Sequence, residues 1–460
     1  MVGHASSTDG DVTGNHGSYD VWVVKLSSTG SLQWQNAFGG TSSDYANSIQ
    51  PTPDGGYIVA GYTNSTDGDV TGNHGNEDAW VVKFNSIGNL QWQKCLGGTS
   101  ADGATSIQQT TEGGYILAGY TSSNNGDVTG NHGSYDAWVV KLSSTGSLQW
   151  QKCLGGTNGE ETYCIQPTPD GGYIVAGKTW STDGDIIGNH GGNDFWVVKL
   201  SSTGGLQWQK TLGGTLDDWA QSIQPTPDGG FIVAGYTNSI DGDVTVNHGY
   251  YDAWVLKLST TGNLQWQKCL GGTNRDEARS IQVTPDGGYI VVGNIGSTDG
   301  DVFGNHGGMD ARVVKLSNTG GLQWQKSLGG TDYDYAQSIQ LTPDGGFILA
   351  GGTNSIDGYV TGNHGDDDYW VVKLAPELAT STFNNQVLTL YPNPTNGLLE
   401  LQTPNNTSFN KIIITDSTGK TVLEQTQNTT QVDVEKLASG LYIIKALSGE
   451  EVFVNKFVKN

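Results

Sequence analysis

The sequence contains few cysteines, and their spacing argues against disulfide bonds. Three of the four, Cys95, Cys153 and Cys269, stand at equivalent positions of an internal repeat. Side chains at equivalent positions of different repeats are expected to lie too far apart to be bridged. The fourth is Cys164. A disulfide framework and a cysteine metal site are therefore both excluded, and we expect four small, largely buried thiols.

Positive charge and long apolar runs are also scarce. Only 22 basic residues accompany 46 acidic ones, for a formal net charge of −24. Such a chain repels phosphate backbones, and no stretch clusters lysine and arginine with aromatic residues, which excludes nucleic acid as a partner. An acidic surface suits solubility in salt and binding of calcium or cationic ligands. No apolar run approaches the ~20 residues of a membrane span, so we expect no transmembrane segment.

Glycine (69 residues) and tryptophan (14 residues) are abundant instead, which suits short strands joined by tight turns. The motif "DVTGNHG" of residues 11–17 recurs in near-copies along most of the chain. Its histidines follow one another at intervals of 58 residues: His16, His74, His132, His190, His248, His306 and His364. A fixed period repeated at least three times indicates a solenoid or a propeller. The repeat covers residues 1–374, which we expect to form one domain.

One repeat unit predicts four short strands. Within residues 46–95 they are "ANSIQ", "YIVAGYT", "AWVVKF" and "LQWQKC", all rich in β-branched and aromatic residues. Hairpins of the types "PTPDGG" and "NSIG" join the first pair and the last pair, and the histidine loop joins the second strand to the third. Up-and-down units of this kind are typical of β-propeller blades.

The layout of strands and turns in this unit resembles the kelch type of blade, a family that supplies enzymes and binding modules alike. We therefore predict an all-β fold, a β-propeller of four-stranded blades with a small C-terminal β-sandwich. The third strand occurs seven times, but the first and fourth occur six times each. Seven blades with incomplete ends is the preferred interpretation, and six blades with overlapping ends is the alternative. The sequence opens inside a repeat, which indicates a missing N-terminal piece.

The histidine loop contains a candidate calcium site. "DGDVTGNHGNED" (residues 67–78) has acids at its first, third and twelfth positions and glycine at its sixth, and so resembles the EF-hand loop. Other copies depart from this pattern, for example at Val246, and the alternative is an Asx-rich turn without metal. The candidate ligands are Asp9, Asp11, Asp20, Asp67, Asp69 and Asp78. Each histidine is expected to bond loop backbone and hold its turn.

Two loops vary among the copies, whereas the hairpins barely change. The variable loops are the connection from the fourth to the first strand and the segment before the third strand. Because strand direction alternates, both are expected on the same face of the ring. Exposed aromatic residues with a polar rim are typical of a surface that recognises sugar rings or proteins. The alternative is neutral drift of exposed loops. The candidate binding residues are Tyr19, Tyr45, Tyr135, Tyr163, Trp180, Trp219, Tyr250, Tyr251, Arg275, Arg279, Met309, Tyr333 and Tyr335.

Arg312 replaces the tryptophan that begins the third strand elsewhere, for example Trp80. We expect a local repacking there, with a pocket lining as the alternative. Catalysis finds little support, because carboxylates recur by symmetry and no unique histidine is paired with a unique serine or cysteine.

The chain changes character after Leu374. "APELATSTFNN" (residues 375–385) is interpreted as a linker, and residues 386–460 alternate like the strands of a small immunoglobulin-like β-sandwich. "YPNP", "DSTGK", "LASGLY" and the terminal "NKFVKN" resemble the type A sorting domain of the type IX secretion system. The residues that carry this resemblance are Tyr391, Pro392, Asn393, Pro394, Gly419, Lys420, Gly440, Tyr442, Lys456 and Lys459.

This resemblance implies export across the outer membrane of a Gram-negative bacterium, with the secretion machinery as a partner of the C-terminal domain. The protein is then released or attached to the cell surface. We therefore expect a non-enzymatic propeller that binds an extracellular glycan or protein. The alternatives are an exported hydrolase and a structural spacer.

Overall fold

The computed structural model describes residues 1–302, 304–376, 388–403, 408–416, 420–426, 430–448 and 451–460. The chain divides into two compact units, Met1–Leu374 and Ala375–Asn460. Most of the predicted linker, from residue 377 onward, lies outside the described residues.

The first unit contains seven antiparallel sheets, numbered here in chain order. Sheet 1 has the strands β1 (Val2–Ala5), β2 (Asp20–Leu26) and β3 (Leu32–Phe38). Sheet 2 has β4 (Asp44–Pro51), β5 (Tyr57–Thr63), β6 (Asp78–Phe84) and β7 (Leu90–Leu96). Sheet 3 has β8 (Asp102–Gln109), β9 (Tyr115–Thr121), β10 (Asp136–Leu142) and β11 (Leu148–Leu154).

Sheet 4 has β12 (Glu160–Pro167), β13 (Tyr173–Thr179), β14 (Asp194–Leu200) and β15 (Leu206–Leu212). Sheet 5 has β16 (Asp218–Pro225), β17 (Phe231–Thr237), β18 (Asp252–Leu258) and β19 (Leu264–Leu270). Sheet 6 has β20 (Asp276–Val283), β21 (Tyr289–Ile295), β22 (Asp310–Leu316) and β23 (Leu322–Leu328). Sheet 7 has β24 (Asp334–Leu341), β25 (Phe347–Thr353) and β26 (Asp368–Leu374).

These sheets confirm the predicted propeller class and the count of seven repeats. Among the described residues, sheet 1 has no first strand and sheet 7 has no fourth, as the strand count in the sequence indicated. The first strands lie innermost, because β4, β8, β12, β16, β20 and β24 contact one another in succession. Hydrogen bonds join them across sheets, for example from Ile165 N to Ser106 Oγ at 3.2 Å.

Each sheet buries its faces against its neighbours. Between sheets 4 and 5 the layer includes Ile174 and Phe195 on one side and Val233 and Trp254 on the other, all 0% exposed. The two faces of one strand therefore serve two different interfaces, which explains the nearly continuous apolar third strands.

The ends of the ring meet less completely than the other sheets. The ring of Tyr369 in sheet 7 lies 4.8 Å from that of Trp22 in sheet 1, and its hydroxyl donates to His4 O at 3.4 Å. Ile348 of sheet 7 nevertheless remains 36% exposed, whereas the equivalent Ile290 of sheet 6 is 0% exposed. Contact through Tyr369 therefore buries less of sheet 7 than a complete neighbouring sheet would.

Each junction between consecutive sheets contains two buried carboxyl groups. The pairs are Asp20 with Asp44, Asp78 with Asp102, Asp136 with Glu160, Asp194 with Asp218, Asp252 with Asp276, and Asp310 with Asp334, all 0% exposed. A glycine separates the two acids, and a Cβ on Gly97 would lie 2.6 Å from Asp102 Oδ2 and 3.0 Å from Asp78 Oδ1. The first glycine of each "GG" step is therefore required by the acids beside it.

Arg312 occupies the position of the buried tryptophans and copies one of their hydrogen bonds. Its Nη2 donates to Gln325 Oε1 at 2.6 Å, as the indole of Trp254 donates to Gln267 Oε1 at 2.9 Å. The side chain is 3% exposed, and burial lowers its pKa. This geometry supports the predicted local repacking.

Restoring the repeat residue with Arg312→Trp is expected to raise the free energy of unfolding, by about 1–4 kcal/mol, because it removes a buried charge and fills the position with the side chain that the other repeats pack there. Urea denaturation followed by circular dichroism measures the change. The control Arg312→Ala leaves a cavity and is expected to be less stable than the parent protein. A tryptophan variant that is less stable than the parent would show that the guanidinium stabilises this sheet.

The second unit contains two small sheets around one core. The strands are β27 (Thr389–Tyr391), β28 (Leu398–Gln402), β29 (Lys411–Asp416), β30 (Thr421–Gln425), β31 (Gln431–Asp433), β32 (Gly440–Ser448) and β33 (Glu451–Lys459). One sheet has the order β27-β28-β31 and the other β30-β29-β32-β33. Leu399 and Val432 of the first sheet share a buried core with Ile412, Ile444 and Phe457 of the second. The unit is thus a small β-sandwich.

Candidate binding face

The two variable loop families lie together at one end of the propeller, as strand alternation predicts. Backbone hydrogen bonds join them, for example from Asp44 N to Tyr19 O at 2.6 Å and from Asn64 N to Ser43 O at 3.0 Å. The other end carries the hairpins, where Lys83 Nζ donates to Asp54 Oδ2 at 2.8 Å. We call the first end the loop face.

The histidine loop is one turn repeated seven times, but its histidine does not bond loop backbone through its ring as expected. His74 Nδ1 lies 2.6 Å from Oδ2 of Asp78, the buried acid that begins the third strand. Asn73 holds the turn by donating to Ser65 O at 3.0 Å. The same pairing occurs for His16, His132, His190, His248, His306 and His364. The partner acid of His132, Asp136, raises the pKa of that histidine.

The candidate calcium ligands bind separate protein groups. Asp67 Oδ1 accepts from Thr41 N at 2.8 Å, Asp69 Oδ2 accepts from Gly39 N at 3.3 Å, and Asp78 binds His74. In the first repeat Asp20 binds His16, while Asp9 and Asp11 line a cavity near the ends of the ring. Within the described part of the chain no group of three or more His, Cys, Asp or Glu side chains is arranged to hold a metal ion. The carboxylates of Asp67 and Asp69 therefore bond to the neighbouring loop that contains Gly39 and Thr41.

The predicted aromatic residues form several groups around the loop face rather than one patch. Tyr45 stacks on Tyr19 at 5.5 Å between ring centroids and on Tyr62 at 4.8 Å. Tyr135 meets Tyr120 edge-on at 5.8 Å.

Three further predicted residues, Trp180, Tyr163 and Tyr335, lie at separate places on the loop face. Trp180 is 57% exposed. Tyr163 donates to Glu161 Oε2 at 2.6 Å, and Tyr335 donates to Asp367 Oδ2 at 3.1 Å. Several candidate tyrosines are thus held by a neighbouring acid.

One group differs from the others because it carries paired charges. The Lys178 ammonium lies 4.0 Å from the centroid of the Trp219 ring, and Trp219 contacts Tyr236 at 5.6 Å between centroids. The Arg279 guanidinium lies 5.5 Å from the Tyr236 ring. We call this group, which spans sheets 4 to 6, the charged cluster. Its members are Glu161, Lys178, Trp219, Tyr236, Tyr251, Arg275, Glu277 and Arg279.

Glu277 is the buried acid that contacts both arginines of the charged cluster. It is only 4% exposed, accepts a hydrogen bond from Arg275 Nε, and pairs with Arg279 Nη2 at 2.5 Å. Asn294 Nδ2 donates to the same carboxylate at 3.4 Å. Partial burial lowers the pKa of Arg275, but Glu277 outweighs this and raises it above the ordinary value. A buried acid bonded in this way fixes the arginines in place.

The charged cluster holds three basic side chains among the variable loops. Apart from the lysines of the third and fourth strands and the buried Arg312, the basic residues of the first unit are Lys178, Arg275 and Arg279. They stand on a chain of net charge −24. The loop face is therefore electrostatically asymmetric although its scaffold is repeated.

A pocket of about 440 Å³ opens beside the charged cluster, between the loops of sheets 5, 6 and 7. Its lining is Tyr250, Asn274, Arg275, Gly296, Gly308, Met309 and Tyr333. The rings of Tyr250 and Tyr333 are 55% and 62% exposed. The structure thus brings four predicted binding residues together here.

A second cavity, of about 680 Å³, lies where sheets 7 and 1 meet. Its lining includes His4, Tyr19, Trp22, Tyr335 and Tyr369 together with several aspartates. It contains none of the three basic residues of the loop face.

Sequence comparison missed Glu161, Lys178, Tyr236 and Glu277. These residues occupy the second position of the first strand and the sixth position of the second strand, which also differ among the copies. Glu161 and Glu277 stand within the compared connection, but only its aromatic residues and arginines were selected as candidates. Comparing the end of the second strand as well would have found Lys178 and Tyr236.

The sorting-signal residues lie within the second unit. Asn393 Nδ2 donates to Lys456 O at 3.1 Å and Asn393 Oδ1 accepts from Val458 N at 3.0 Å, so "YPNP" is bound to the last strand. Tyr442 is buried and donates to Ala438 O at 2.9 Å. Tyr391 is 67% exposed. Gly419 lies outside the described residues.

Comparison with known proteins identifies this second unit. Residues 389–460 match the family described as the secretion system C-terminal sorting domain. Over 224 residues the chain is 25% identical to the regulatory protein FlaEY of Caulobacter vibrioides, a match that spans 45% of this chain and 23% of that protein's length.

Solved structures with similar architecture include PorZ, a bacterial surface component of the type IX secretion system of Porphyromonas gingivalis (TM-score 0.38, 12% identity, 100% of this chain and 58% of that one). Another is the WD40 domain of Pan2 from Neurospora crassa (TM-score 0.42, 9% identity, 72% of this chain and 81% of that one). The kelch-like identity of the repeats is not established by these matches.

The fold and the sorting domain define a secreted or surface-held β-propeller protein of a Gram-negative bacterium, exported through the type IX secretion machinery. In the part of the chain that the structure describes, no helix is long and apolar enough to cross a membrane.

Proposed function

We propose that the propeller is a binding module, not an enzyme, and that it recognises an extracellular glycan or protein through its loop face. The observation that carries this proposal is the pocket in which the exposed rings of Tyr250 and Tyr333 stand beside Arg275. Exposed aromatic rings with a polar rim are the usual components of a recognition surface. A glycan is the first candidate, because tyrosine offers a flat face and a hydroxyl together.

The acids of the charged cluster support binding over hydrolysis. Glu277 is bonded to two arginines, and Glu161 lies 3.5 Å from Lys178 and accepts a hydrogen bond from Tyr163. Both carboxylates are therefore occupied in holding neighbouring side chains of the cluster, as in the support of a binding surface, whereas an acid catalyst must reach the substrate itself.

Binding of the full chain to a broad glycan array, with and without calcium, tests the proposal. Tyr250→Ala and Tyr333→Ala are each expected to weaken binding about 10-fold or more, since each removes a large contact face. The matched control is Tyr359→Ala, which removes a tyrosine that is 52% exposed in a histidine loop outside the pocket. Unchanged glycan affinity in both pocket variants would refute the proposal that this pocket is the binding site. Failure of the parent protein to bind any glycan would favour a protein ligand.

A further inference from the structure

The guanidinium of Arg275 is held by Glu277 while most of its N–H donors remain free. Its Nε donates to Glu277, and its centre lies 5.4 Å from the Tyr251 ring and 5.9 Å from the Tyr236 ring. The side chain is 44% exposed and lines the pocket. Among the described residues its two terminal amino groups have no acceptor, so this fork is available to a ligand in the pocket.

The hydrogen bonds that hold Glu277, the partner of Arg275, are all formed within the protein itself. Glu277, which is 4% exposed, is bonded also by Arg279 and Asn294. Asn294 in turn accepts a hydrogen bond from Ala336 N at 3.1 Å, which links the network to sheet 7. Little conformational entropy remains to be lost when the fork binds a partner, and such preorganisation increases affinity.

The two terminal amino groups of an arginine side chain fit a carboxylate group especially well. Two parallel N–H donors in a plane fit the two oxygens of a carboxylate. The chain carries a net charge of −24, but salt screens exposed charges beyond about 8 Å, so the local cations govern what approaches this pocket. The ligand is therefore expected to be an anion of carboxylate type.

The pocket walls indicate what carries that carboxylate. Tyr250 and Tyr333 present exposed rings, and the floor includes the backbone of Gly296 and Gly308. Flat aromatic walls with hydroxyl groups suit a hydroxylated ring, whereas a protein partner is usually anchored by a side chain inserted into a deep apolar recess.

We infer that Arg275 receives the carboxylate of an acidic saccharide, a uronic acid, whose ring packs against Tyr250 and Tyr333. This inference rests on the proposed function and specifies its ligand class. Arg275 contacts the ligand, and Glu277 acts as a positioning residue for it.

The test uses the full chain with oligomers of galacturonate, glucuronate and mannuronate, their methyl esters, and poly-glutamate, measured by isothermal titration calorimetry. At least one uronate is expected to bind. Its methyl ester and the variant Arg275→Gln are each expected to weaken that binding about 10- to 100-fold, the range for a hydrogen bond to a charged group. Arg275→Lys keeps the positive charge but lacks the two parallel N–H donors, so this variant is expected to lose only part of the binding affinity.

Lys268→Gln is the matched control, because it removes one positive charge from the outer strand β19 of sheet 5; its affinity is expected to equal that of the parent. Glu277→Gln is expected to weaken binding while the thermal midpoint measured with ligand still rises above that without it. Binding of neutral glycans that depends on Tyr250 but not on Arg275 would overturn this inference and leave the proposed function intact. Binding of no uronate, or tighter binding of poly-glutamate, would also overturn it.

Discussion

Replacing Trp254 with alanine is expected to lower the free energy of unfolding by about 3–5 kcal/mol, the usual cost of removing a large buried aromatic side chain. Trp254 is 0% exposed, and its ring meets that of Phe195 edge-on at 4.7 Å across the junction of sheets 4 and 5. The indole also donates to Gln267 Oε1 at 2.9 Å, and the variant removes that hydrogen bond. Urea denaturation followed by circular dichroism measures the loss.

Trp180→Ala is the matched control for this variant. Trp180 is the same residue type but is 57% exposed in a loop, so its removal is expected to change stability by no more than about 0.5 kcal/mol. Equal effects of the two substitutions would contradict the view that contacts between sheets stabilise the propeller.

The second large effect concerns pH and the buried carboxyl pairs. Burial and, to a smaller extent, the neighbouring Asp194 raise the pKa of Asp218 to about 6, against the hydrogen bonds from Gly214 N and Ser239 Oγ. Burial also raises the pKa of Asp44, Asp78, Asp136, Asp194, Asp252 and Asp310. Every junction between consecutive sheets thus contains an acid that binds its proton more tightly in the folded state.

The sign follows from proton linkage. Since the folded state holds the proton of Asp218 more tightly, the stability it contributes is fully present below its unfolded pKa of about 4 and is lost as the pH rises through about 6. A shift of about two pKa units corresponds to roughly 3 kcal/mol. The propeller is therefore expected to be more stable at pH 5 than at pH 8.

The variant Asp218→Asn tests this expectation, because an amide does not ionise. Relative to the parent, the variant is expected to gain roughly 1.4 kcal/mol of stability between pH 5 and pH 8, because about half of the full difference is already lost at pH 5. The control is Asp228→Asn, which removes an exposed carboxylate whose pKa is lowered to about 2 by its bonds to Thr226 and Lys257 and which stays ionised over this range. A stability difference between Asp218→Asn and the parent that does not change with pH would refute the assignment.

Sequence periodicity predicted the architecture well because a repeated scaffold imposes the same local requirements on every copy. Turn residues, alternating strands and the incomplete first and last repeats were all visible in the chain. The loop face followed from strand direction alone, and the sorting domain followed from four short motifs. Each of these inferences depends on local conformation or on chain order.

The charged cluster could not be obtained in this way. Lys178, Trp219 and Arg279 belong to three different sheets, and they meet only because the inner strands converge around the axis. The spacing of Asp67, Asp69 and Asp78 resembles that of a calcium loop, but only the tertiary structure shows which protein groups each carboxylate contacts.

The sequence by itself therefore determined the strands, the number of repeats, the identity of the tail and which end of the propeller varies, because those features depend on residues close together in the chain. Only the tertiary structure decided which varying residues act together, that Glu277 positions Arg275, and that the acids at the sheet junctions lie in buried pairs. Those relations depend on distances between sheets, which ring closure sets and no local pattern records.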